Sequence, residues 1–180
     1  MDHFQVKLFG RASAAFDLGL AIPVFHRWIQ NRVLSELLID VADYRHVPGG
    51  PGVLLVAHDA HYGLEHSGAL VYTRRTPLSG TVPEKIRAAL EAAASAAARL
   101  QAEPEFAQTL AFERRHCRIS VNDRLLAPNT PETRVRLEPD LRVALDGYFG
   151  SGTYDLRPVG TPRDLLSFEV VPSLAPGPAA

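Results

Sequence analysis

The sequence predicts an α+β domain, a two-layer sandwich with a mostly antiparallel sheet and helices on one face. Three observations predict it. Strand-like runs follow one another in pairs and threes instead of alternating singly with helices. Two long stretches carry helix start signals, and an apolar content of 46% in 180 residues suffices for one core. Residues 1–171 are expected to form a single domain, and the proline-rich 172–180 a loose tail.

Taken in order, Phe4, Val6 and Leu8 alternate with Gln5 and Lys7, the period-2 pattern of a half-buried strand over 4–9. Leu18, Ile22, Phe25, Ile29 and Val33 then recur at spacings of three and four, with Val24 and Trp28 widening the stripe. Pro23 belongs in a first turn, so the helix is expected over 23–34. Residues 37–41 and 52–57 are apolar runs joined by His46-Val-Pro-Gly-Gly-Pro-Gly52, which reads as a turn, and 69–73 adds a third strand of a meander. Thr81, Pro83 and Glu84 form a capping box that opens an alanine-rich helix to about 101, with Ile86, Leu90, Ala97 and Leu100 inward. Residues 115–121 alternate again, with Cys117, Ile119 and Val121 inward. Thr130-Pro131 caps a helix to 149 with a bend expected at Pro139, and 154–159 and 165–171 close the chain. The order strand, helix, strand, strand occurs over 4–57 and again from 115, a possible duplicated βαββ plan. Because the middle strands are unbroken apolar runs, the second sheet face is expected to need covering, as by a second subunit.

A net charge of −1 supplies no strong field for phosphate backbones or anionic lipid, so nucleic acid and membranes are not expected partners. No apolar run reaches the ~18 residues of a membrane span. The single cysteine, Cys117, allows no intrachain disulfide, and the first residues lack a secretory signal pattern, so a cytoplasmic location is expected. Arginine outnumbers lysine 17 to 2, the coding bias of a GC-rich bacterium.

Titratable groups concentrate between Asp40 and His66. Asp40 and Asp43 must point to opposite faces of a strand, so His58 shares a face with one of them. Asp40, Asp43, His58, Asp59 and His61 are therefore the candidate lining of an acid–base site, since a histidine beside a carboxylate can serve as an oriented base. A divalent metal is chemically conceivable there but not expected: His58-x-x-His61 lacks the i, i+4 spacing and the glutamate of a zinc motif. The Gly49-Gly50-Pro51-Gly52 turn lacks the lysine and hydroxyl of a phosphate loop. Arg114, His116 and Arg118 share the polar side of one strand, and with Arg74 and Arg75 at the end of another they could clamp an anion if the strands are neighbours. Trp28 is expected to anchor the core or an interface, and His26 to face solvent.

Ile22-Pro-Val-Phe-His-Arg-Trp-Ile-Gln30, Leu38-Ile-Asp-Val-Ala-Asp-Tyr44 with His46-Val-Pro48, and Asn122-Asp-Arg-Leu125 with Ala127-Pro-Asn-Thr130 resemble a family of uncharacterised bacterial proteins. The resemblance implies a stand-alone bacterial domain and carries over no activity, cofactor or site residue. Two readings of function follow. One is a small-molecule-binding protein or enzyme with an Asp/His-lined pocket, its cofactor unknown. The other is a non-catalytic oligomerising or adaptor domain, such as a homodimer through the first helix or the open sheet face.

Overall fold

The computed structural model describes residues 1–173, apart from the side chain of Arg114, so most of the expected tail lies outside the described residues. The elements in chain order are β1 (Phe4–Ala12), a 3₁₀ turn (Leu18–Leu20), α1 (Ala21–Asn31), β2 (Leu38–Tyr44), β3 (Gly52–Ala57), β4 (Ala60–Leu64), β5 (Leu70–Arg74), α2 (Val82–Ala102), β6 (Leu110–Val121), α3 (Pro131–Phe149), β7 (Tyr154–Val159) and β8 (Leu166–Pro172). All strands join one eight-stranded sheet in the order β2-β3-β4-β5-β1-β6-β8-β7, and every neighbouring pair is antiparallel. The α+β sandwich is thus the architecture.

Side-chain parity divides the sheet. Phe4, Val6, Val53, Leu55, Tyr62, Tyr72 and Ile119 face the helices and are almost wholly buried, each such burial contributing about 1.5–3 kcal/mol before entropy is counted. Gln5, Lys7, His61, Thr73 and Arg118 occupy the opposite parity. The expectation of an apolar second face is met only locally, at the half-exposed Leu54, Val56 and Val71; elsewhere that face is polar.

The sheet order has an approximate two-fold likeness about its middle, though not over the residues expected. β1 and β6 pair at the middle of the sheet, each is followed by a helix and a later hairpin, and the last strand of that hairpin returns to its own partner, β5 to β1 and β8 to β6. The hairpin equivalent to β7–β8 is β4–β5, so the β2–β3 hairpin is an insertion and residues 4–57 are not the matching unit. β4 itself corrects the expected meander, which passes from 52–57 to 69–73 with no strand between: Gly63 and His61 on the open-face parity mask a strand whose Ala60, Tyr62 and Leu64 line the core.

α1 begins two residues before Pro23, because the 3₁₀ turn, capped by Asp17 Oδ1 accepting from Gly19 N at 2.8 Å, leads straight into it. It ends at Asn31, short of the expected 34, where Arg32 turns left-handed with φ 50°. α2 starts where the capping box places it, with Glu84 Oε2 accepting from Thr81 N and Oγ1 at 2.7 and 2.9 Å. Pro139 lies inside a continuous α3. α2 packs across β1, β5 and β6 and against α3, whereas α1 packs chiefly on β2. Among the described residues no helix is long and apolar enough to cross a membrane.

Candidate functional site

The register resolves the placement of the expected acid–base set. Asp40 opposes Val56 and Asp43 opposes Val53, so they do face opposite ways, and strand parity puts His58 on the side of Asp40. The side chains are not drawn into one concave site. Asp40 and His58 are exposed, and Asp40 accepts from the amide of Val41 at 2.8 Å. Asp43 is gripped by Arg45 at 2.7 and 2.9 Å, which holds its carboxyl down to about 2. β2 is an edge strand, and exposed charged side chains on such a strand disfavour pairing with another chain. His61 sits on the open face, its Nδ1 buried without a partner; burial, then the nearby Arg75, lowers its pKa. Among the described residues no three His, Cys, Asp or Glu side chains could hold a metal ion together.

The basic candidates are similarly dispersed. β1 lies between β5 and β6, and Arg74 is on the helix face while Arg118 is on the open one, so they cannot clamp one anion. His116 stands between Glu113 and Glu169 at 3.1 and 2.8 Å and stacks on Phe9, and Arg118 donates to Glu169 at 3.0 Å. The side chain of Arg114 is outside the described residues. Cys117 is buried on the helix side, and burial pushes its thiol up to about 12, an inert position. Trp28 is 1% exposed and donates through Nε1 to Glu103 at 2.5 Å, so α1 presents no tryptophan surface; His26 is exposed as expected.

The structure assembles a different polar site on the helix side. The segment between α1 and β2 swings Glu36 inward, where Oε1 accepts from the Tyr72 hydroxyl at 3.3 Å and lies 3.6 Å from the Arg74 guanidinium. Tyr62 stands close enough to steer the ionisation of Glu36, yet Oε2 is buried with no hydrogen-bond partner. Burial raises the Glu36 pKa above the ordinary carboxylate value, against the opposing pull of Tyr62, Tyr72 and Arg74. The same desolvation, together with the Glu36 charge, lifts the Tyr72 phenol to about 12. Arg74 Nε donates to the Thr76 carbonyl at 2.9 Å, and its other end is 3.9 Å from Asp59, which accepts from Thr76 Oγ1 at 2.7 Å. Of the expected set, Asp59 alone reaches this constellation.

Glu36, Tyr72 and Arg74 form one wall of a cavity of about 330 Å³. Phe4 floors it, α2 closes it with Lys85, Ala88, Ala89 and Ala92, and Lys85 is paired to Asp2. A second cavity lined by Ile29, Leu34 and Leu38 meets it at Ser35 and Glu36. The size is at the lower end of the range of small-molecule sites, about 300–1,000 Å³. Local sequence held one clue to it. Arg74 falls on the same parity as Leu70 and Tyr72, and a cation on the buried side of a strand requires an acid to meet it.

Comparison with protein-family models, with curated protein sequences and with solved structures finds no match for this chain. The functional reading therefore rests on the site alone.

Proposed function

We propose that the protein binds a small molecule in the cavity between α2 and strands β1 and β5, with Glu36 as the group that recognises it. One observation carries this reading: Glu36, a residue of the cavity wall, keeps a buried Oε2 without a hydrogen-bond partner. Leaving such an acceptor unsatisfied costs on the order of 1–3 kcal/mol, a cost that a ligand donor removes. The surrounding hydroxyl and guanidinium fix the carboxyl in place, so it is preorganised. The adaptor alternative has weaker support, because Trp28 is spent on the core and the open sheet face is charged where a tight dimer would be apolar.

A fragment screen by amide NMR on the full chain tests the proposal. Binders should shift the amides of Glu36, Tyr72, Arg74 and residues 85–92. Hits confined to the other flank of α2, or to the open face, would overturn it.

A further inference from the structure

We infer that the ligand is a small organic cation, its ammonium group seated against Glu36 Oε2 and its aliphatic part against the alanines of α2. The inference rests on the proposed cavity and adds the ligand's charge and shape.

Charge balance at the cavity is the first argument. Asp2 and Lys85 neutralise each other. Arg74 is then the one guanidinium on the cavity wall, facing Glu36 at 3.6 Å and, outside the cavity, Asp59 at 3.9 Å, while Glu91 adds a further acid on the α2 wall. The site is short of positive charge, and a monocation restores the balance. An anion would face an excess of carboxylates.

Donor and acceptor counts point the same way. The Tyr72 hydroxyl already donates to Glu36, and Arg74 Nε donates to Thr76. Of the fully buried polar atoms at this site the one without a partner is an acceptor, Oε2, and its missing partner is a donor. An ammonium supplies three donors and a charge at once. The rings of Phe4 and Tyr72 line the same space, and aromatic faces attract desolvated cations. Ala88, Ala89 and Ala92 offer only methyl groups, a wall suited to a short hydrocarbon stem.

Three probes of similar size separate the possibilities: n-butylammonium chloride, n-butanol and sodium butyrate, each added to the full chain at matched ionic strength with sodium chloride as control. Butylammonium should raise Tm by at least ~2 °C at concentrations well above its Kd. It should shift the amides of Glu36 and Tyr72, and Glu36→Gln should weaken it at least about tenfold, the loss of one charge-assisted bond. The variant's circular dichroism confirms that it is folded. If butanol or butyrate shifts the cavity amides and butylammonium does not, the cation inference falls while the cavity reading stands. If none of the three shifts them, both fall. An equal response to butylammonium in Glu36→Gln removes the assigned role of Oε2 and overturns the inference.

Discussion

The two flanks of α2 are built from the same alanine-rich helix and differ in almost everything else. On one side α2 meets α3 beside a cavity of about 350 Å³ lined chiefly by apolar side chains, among them Leu8, Leu90, Ala97, Phe112 and Tyr148. On the other side α1 has moved off to cover β2, and the space between holds Glu36, Arg74 and Lys85. The pseudo-symmetric halves explain the asymmetry. The second half runs directly from α3 to β7, whereas the first inserts the β2–β3 hairpin after α1, and the connection to that hairpin delivers Glu36. The two cavities are of similar size, about 350 and 330 Å³, and what sets the second apart is its lining of charged and hydroxyl groups.

Substitutions on the two flanks should therefore differ in size and kind. Leu90→Ala, on the apolar flank, should lose about 2–5 kcal/mol in urea unfolding, and a loss below about 1 kcal/mol would mean that Leu90 itself is loosely packed. Ala92→Leu, half-buried on the polar flank, should change stability by less than about 1.5 kcal/mol because it grows into open space, while abolishing the fragment-induced amide shifts.

Glu36→Gln should stabilise the empty protein at pH 7, since burial disfavours the charged carboxyl. The sign follows from linkage. A carboxyl whose pKa is raised on folding favours the native state most below its unfolded value, and that advantage is lost as pH rises through the folded value. The gain from Glu36→Gln should accordingly shrink toward pH 4 in thermal melts; a gain that grows on acidification would contradict a raised Glu36. Asp43→Asn, at the exposed edge, should have the smallest effect, leaving Tm and the fragment response where they were.

Most strands were legible because Phe4, Val6, Leu8 and Cys117, Ile119, Val121 keep strict alternation against a single buried face. β4 was not, because Gly63 on its open side reads as a breaker, while the glycine's real task is to let the backbone of Pro51 approach: a Cβ there would lie 3.2 Å from the Pro51 carbonyl oxygen. The site was less legible still. Asp40, Asp43 and His58 cluster in sequence, but the first two lie exposed on opposite faces of an edge strand and His58 is exposed in the turn after β3. Glu36 stands alone in sequence, and its partners Tyr72 and Arg74 arrive only when β5 pairs into the sheet. Local density of charged residues marked a surface, and a solitary glutamate met its partners through topology.

The pairing of β1 at the middle of the sheet also bears on how the chain assembles. β1 is the earliest strand in chain order, yet Gln5 lies opposite Thr73 and Phe4 opposite Val121. Its backbone groups must wait for both distant neighbours, each after a long loop closure, and such non-local pairing slows folding. During synthesis β1 would emerge from the ribosome well before either neighbour, so its unpaired edges are the stretch most in need of protection until β6 arrives.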